Sequence, residues 1–197
     1  MATPRKAISA KDRETLLAEY NHLCAMCGST NPHIHHIDQN HDNNDVFNLI
    51  PLCPNCHLRD QHNPTRSFES GILRLFRLYK DPAILSPQFK PLYDRFKFIF
   101  SVENNINDTR EIELSTKELV EFVAALNMGT FYSNKLAKLI IKPPFAGMIP
   151  IGHPDPEFTR KLIERNQAYI QKLMNDRDSI TGLIIELLRY QSWHYTP

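Results

Sequence analysis

The sequence predicts an α+β protein: a small metal-organised front of strand, loop, strand and helix over residues 1–67, followed by a mainly α-helical domain over 68–197. Three observations carry this. All four cysteines fall between positions 24 and 56 in two Cys-x-x-Cys pairs. Seven of the nine histidines (22, 33, 35, 36, 41, 57 and 62) lie in the first 67 residues. From Phe68 onward apolar residues recur at helical spacing, and no chemical motif appears.

The elements follow in order. Residues 1–10 are a loose lead-in, after which Leu16, Leu17, Tyr20 and Leu23 place a helix over 11–23. Ser9 is positioned to cap it, with Asp12 three residues on as a capping-box-like carboxylate. Gly28 after Cys27 supplies the turn a metal knuckle needs. A short strand is expected over 32–37, a polar loop of Asp, Asn, Gln and His over 38–45, and a second apolar run over 46–52 leading into Cys53. A helix then starts near 57–62, with Pro64 at its end.

In the rear, Ile72, Leu75, Phe76 and Tyr79 form the apolar stripe of a helix over 68–80, with Arg74, Arg77 and Lys80 on its solvent side. Pro82 and Pro87 bracket a turn, 89–100 is an aromatic-rich helix, and 104–108 is a polar link. Alternation in Arg-Glu-Ile-Glu-Leu predicts a short edge strand over 110–114, and Ser115-Thr116-Lys117-Glu118 signals the cap of a helix reaching 127. Residues 131–141 are helical up to Pro143-Pro144, 145–156 form a Pro/Gly-bearing loop, and helices over 157–174 and 179–190 finish the chain. Lys135, Lys138 and Lys142 read as a solvated face. The apolar density of 89–100 and 180–188 reads as core.

Composition narrows the function classes. With 23 basic against 22 acidic residues there is no global positive field, so any nucleic-acid contact must come from local patches. No run approaches the roughly 18 apolar residues of a membrane span, and the first ten residues lack the apolar core of a signal peptide. A soluble, cytoplasmic protein without membrane contact is expected, where a reducing compartment favours metal ligation over disulfides.

The pairs Cys24/Cys27 and Cys53/Cys56, with 25 residues between them, have the spacing of a four-thiolate zinc site. Metal closure would serve as a core for this short segment and hold the polar loop over 38–45 without packing. Such a site is already complete, so the histidines need another task. His35 and His36 are adjacent and on a strand point to opposite faces, which lets one bind a metal while its neighbour does something else. His57 follows Cys56 and is brought back towards the strand by the zinc closure. His22, His33, His41, His153 and His194 read as ordinary surface histidines; Arg59 and Arg66 suit phosphate contacts or plain solvation equally.

Taken together, Cys-x-x-Cys, His35-His36-Ile37 and Asn48-Leu49-Ile50-Pro51-Leu52-Cys53-Pro54-Asn55-Cys56-His57 resemble the HNH, or ββα-metal, nuclease family over about residues 5–62. The resemblance implies a zinc-bound ββα module and a metal-dependent endonuclease that hydrolyses phosphodiester bonds of DNA. It implies that His35 binds the catalytic divalent ion, that His36 is the general base activating water, that Asn48 orients the base or its loop, and that His57 is the second ligand. Some members carry another histidine four residues later. Here that position is Gln61, and His62 lies one step beyond, which leaves open whether His62 binds the ion or faces a phosphate.

The chemistry agrees with those residue types. Phosphodiester hydrolysis needs an activated water, charge neutralisation in the transition state and a stabilised leaving oxygen. A neutral imidazole with a pKa near ~6.5 can accept the water's proton at cellular pH. Two imidazoles leave coordination positions open for phosphate oxygens, with Mg²⁺ or Mn²⁺ as the expected catalytic ion beside structural Zn²⁺; imidazole also suits Ni²⁺ or Zn²⁺.

The helical region is expected to serve docking on a protein partner, specificity, or homo-oligomerisation. Common use of the family suggests an effector in bacterial defence or restriction. The rival is a non-catalytic zinc-ribbon DNA-binding or scaffold protein, which has no need for both His36 and His57.

Overall fold

A computed structural model describes residues 7–63, 65–105, 109–144 and 155–193, and divides into two compact units, Met1–Ser86 and Pro87–Pro197. Most of the lead-in, Pro64, the end of the 104–108 link, nearly all of the 145–156 loop, His153 and His194 lie outside the described residues.

The first unit opens with helix α1, Ala10–Glu19. Ser9 caps it as expected, its Oγ accepting from the Asp12 backbone N–H at 3.0 Å and donating to the Asp12 carboxylate at 2.7 Å. The helix stops short of residue 23, because Asn21 and His22 take positive φ (53° and 58°) and turn the chain towards Cys24. Strands β1, His33–His36, and β2, Leu49–Leu52, pair antiparallel with His35 opposite Ile50 and His36 opposite Leu49. Residues 46–48 of the second apolar run form a single 3₁₀ turn, since Asp45 caps it by accepting from Phe47 N at 2.7 Å. A seven-residue π-helix, Asn55–Gln61, follows β2.

Helix α2, Ser70–Tyr79, buries Ile72, Leu73, Leu75 and Phe76, and with them Arg77, which the sequence places on the solvent side. Arg77 is 3% exposed because its fork is fully used. Nη1 and Nη2 donate to the two oxygens of Glu19 at 2.8 and 2.7 Å, and Nε donates to the Leu49 carbonyl at 3.0 Å. One guanidinium thus ties α2 to α1 and β2 within the first compact unit, Met1–Ser86.

The second unit is helical among its described residues: α3 Phe89–Phe96, α4 Arg110–Ala124, α5 Gly129–Ile140, α6 Pro156–Asn175 and α7 Arg177–Trp193, with 3₁₀ turns over Lys97–Phe100 and Val102–Asn105. Phe89, Phe96, Ile99, Leu119, Val123, Leu136, Leu173, Ile184 and Leu188 fill its interior. The edge strand expected at 110–114 is instead the first turn of α4. Ile112, Thr116, Leu119 and Val123 bury one helical stripe, and Glu111 and Glu113 favour the positive end of the helix dipole. The cap signal at Ser115-Thr116 is therefore internal, and Thr116 donates back to the Glu113 carbonyl at 2.9 Å. The α4–α5 turn brings Gly129 so near the end of α4 that a Cβ there would lie 2.3 Å from the Val123 carbonyl oxygen.

Lys142 also departs from expectation. Its side chain is 7% exposed, and Nζ donates to Thr109 Oγ1, Glu113 Oε1 and Asn166 Oδ1 at 2.6–2.7 Å. All three ammonium protons are matched, so Lys142 is an internal cross-link and not part of a solvated face. No helix among the described residues is long and apolar enough to cross a membrane.

Candidate metal centres

Two knuckles bring the cysteines together. Gly28 at φ 72° lets its N–H reach the Cys24 carbonyl at 2.9 Å, and His57 N donates to the Cys53 carbonyl at 2.8 Å in the second. The four sulfurs lie within 4.8 Å of one another, with Cys27 3.6 Å from both Cys53 and Cys56. Four thiolates at ~2.3 Å from a tetrahedral zinc would stand about 3.8 Å apart, so the donor set and its spacing fit such an ion. Burial pushes the thiols of Cys24 and Cys56 up, whereas hydrogen bonding with the side chain and backbone of Ser29 lowers that of the more exposed Cys27 to about 6. A bound ion replaces all these protons, so burial that disfavours a free thiolate favours a metallated one.

The second cluster is built from β1 and the π-helix. Ligand atoms of His35, His57 and His62 also lie within 4.8 Å of one another. The His57 and His62 Nε2 atoms are 3.4 Å apart, close enough for one to donate to the other or for both to reach one ion. His35 is 3% exposed and its Nε2 is buried without a hydrogen-bond partner, an arrangement that costs free energy unless an electrophile completes it. Burial first, then repulsion from His57, His62 and the other rings, lowers His35 to about 4; burial and His62 lower His57 as well. Both rings are therefore held neutral, the form that ligates.

His62 reaches this cluster because the helix is a π-helix. On an α-helix five residues separate two side chains by about 140°. The i+5 hydrogen bond from His62 N to the His57 carbonyl, at 3.3 Å, winds the turn wider and returns residue 62 to the face of residue 57. Gln61, which takes the i+4 place, is buried and exchanges two bonds with the Phe68 backbone, at 2.9 and 3.3 Å. The one-residue offset is absorbed by the helix type.

His35 meets the rings of His57 and His62 and His36 that of His41, yet both line one cleft of about 360 Å³ together with Gln39, His41, His57 and His62. His36 faces His41, ring centroids 5.3 Å apart, and its Nε2 is 3.0 Å from Asn44 Oδ1. Asn48 is not among the residues lining the cleft. Its amide closes the loop instead: Oδ1 accepts from Asp38 N at 3.1 Å, and Nδ2 donates to Asp38 Oδ1 and the Asn43 carbonyl at 2.8 and 2.9 Å. Burial alone would raise the Asp38 carboxyl, but the bonds from Asn43, Asn48 and the Asn40 backbone hold it below the usual range. The polar loop is thus held by its own hydrogen bonds, a means of support additional to the metal closure expected for it.

The sequence reads His41 as an ordinary surface histidine and does not single out Asn44; their only signal is their place in the Asp/Asn/His-rich loop between the two halves of the motif. His33 stacks on His57 with centroids 6.3 Å apart. Arg59 and Arg66 are exposed and share Asp60. In comparisons with known proteins, no family model, curated protein or solved structure gives a significant match to this chain.

Proposed function

We propose that the first unit is the catalytic module of a metal-dependent endonuclease, of the HNH type the motifs resemble, which hydrolyses phosphodiester bonds of DNA as an effector in bacterial defence or restriction. The observation that carries this reading is the convergence of three imidazoles, one with a buried and unpartnered nitrogen, in the same cleft as His36. A zinc-ribbon scaffold satisfied by four cysteines gains nothing from such a group, which costs about 1–3 kcal/mol while unpaired.

In this reading Cys24, Cys27, Cys53 and Cys56 hold structural Zn²⁺, and His35, His57 and His62 hold the catalytic ion. That ion, Mg²⁺ or Mn²⁺, supplies charge neutralisation on the scissile phosphate and its leaving oxygen. An all-imidazole set suits Mn²⁺ better, because Mg²⁺ needs oxygen ligands from the substrate. His36 takes the proton of the attacking water on the ring nitrogen that does not face Asn44. Asn48 acts at a distance by fixing the loop over 38–45. The helical second unit supplies specificity, control or association with a protein partner.

The test uses the full chain on supercoiled plasmid with Mg²⁺ or Mn²⁺. Wild type is expected to cut, and His36→Ala to lose about 10²–10⁴-fold in rate. Equal cutting by both removes His36 as the base, and a wild type that binds DNA without cutting it favours the zinc-ribbon alternative.

A further inference from the structure

We propose that Asn44 is a positioning residue that fixes which nitrogen of His36 carries the ring proton; its catalytic consequence rests on reading His36 as the base. An amide oxygen only accepts and an amide nitrogen only donates. Asn44 Nδ2 donates to the Ala7 carbonyl at 3.2 Å, and that carbonyl can do nothing but accept. The bond assigns the other end of the amide, Oδ1, to His36 Nε2 at 3.0 Å.

An acceptor at Nε2 demands a proton there, so Nδ1 of the neutral ring is left with the lone pair. The opposite tautomer would set two lone pairs against each other across 3.0 Å at a ring that is 3% exposed, with little water to relieve them. Asn44 selects one tautomer of a group that in solution populates both.

The amide is itself held from two directions. Asn43, its chain neighbour, is fixed through its carbonyl by Asn48 Nδ2 at 2.9 Å and through its side chain by Asp38 Oδ2 at 2.7 Å. Ala7, two residues before the Ser9 cap, holds the far side. The segment leading into α1 is therefore part of the site, and Asn48 reaches His36 through Asn43 and Asn44.

The decisive measurement is a long-range proton–nitrogen correlation spectrum of the histidine rings in the full chain, loaded with zinc and Mg²⁺ at alkaline pH, where the rings are neutral. The His36 resonances are assigned by their loss in His36→Gln. Wild type is expected to show His36 protonated on Nε2 alone. Asn44→Ala should give a mixture of tautomers and a kcat for plasmid cutting lower on the order of tenfold with KM unchanged. Asn44→Asp keeps an acceptor for Nε2–H while losing the donor to Ala7, and should restore both the tautomer and the rate. A wild-type ring protonated on Nδ1, or a tautomer unmoved in Asn44→Ala, overturns the proposal. If the tautomer responds as expected while no variant cuts DNA, the positioning stands and the nuclease reading falls.

Discussion

Replacing Arg77 by Met keeps most of the side chain's apolar stem and removes only the guanidinium. Three bonds disappear, two charge-assisted ones to Glu19 and one to the Leu49 carbonyl. Glu19, a little under a third exposed, recovers part of its solvation, but the carbonyl of fully buried Leu49 does not. Breaking a buried ion pair from one side costs about 3–5 kcal/mol, and the unpaired carbonyl is already within that figure. Partial exposure of Glu19 and its second partner, Lys80 at 2.7 Å, place the expected loss near the lower end, about 3 kcal/mol. Denaturant unfolding of the zinc-loaded chain, followed by a probe in the first unit, should show its midpoint fall at unchanged slope. Arg77→Lys, which keeps the charge but not the fork, should recover under half of the loss. A loss below about 1 kcal/mol for Arg77→Met would refute the argument that this guanidinium joins α1, β2 and α2.

Four further outcomes follow from the same geometry. The double change Gln61→His/His62→Gln moves the ring to the i+4 place and should weaken Mn²⁺ binding by at least about tenfold in calorimetry; unchanged affinity would mean the π-turn does not set the ligand. Cys53→Ser should unfold the first unit while circular dichroism retains the helices of the second, and a folded, zinc-free variant would contradict the thiolate assignment. Lys142→Met should cost the second unit about 2–3 kcal/mol in thermal or chemical unfolding, since Glu113 is partly solvated but Asn166 and Thr109 are not. With zinc in the thiolate site and no ion at the histidines, His35 titrates near 4 in the folded chain against about 6.5 unfolded, so the unfolded chain binds more protons between those values. Stability of the first unit should therefore rise with pH across that window and be lost on acidification, by up to about 3 kcal/mol; a flat profile would remove the buried neutral imidazole.

Cys24, Cys27, Cys53 and Cys56 were legible because metal spacing is a local, one-dimensional signal. His35 and His57 were legible by their neighbours. For His62 the sequence leaves ion and phosphate both open, because α-helical periodicity puts it on another face from His57 and nothing in the composition announces a π-turn. Arg77 and Lys142 depart from the sequence reading for a shared reason: a helical pattern assigns cations to solvent, and the acceptors that bury them lie 28 to 58 residues away for Arg77 and 24 to 33 for Lys142. Arg110 to Leu114 was misread because five residues satisfy a period of two and the start of a helical stripe equally well. Asn44 could be found only once its two bonds were seen together.

The backbone between Cys56 and His57 belongs to both clusters. Consecutive Cα atoms are only about 3.8 Å apart, so neither residue can shift by much without carrying the other. In the proposed reading, with an ion at each cluster, the two affinities are linked, and linkage is reciprocal: whatever filling the thiolate site contributes to the histidine site, filling the histidine site returns. There, an oxidant that takes two of the sulfurs out of ligation would loosen the turn that also carries His57.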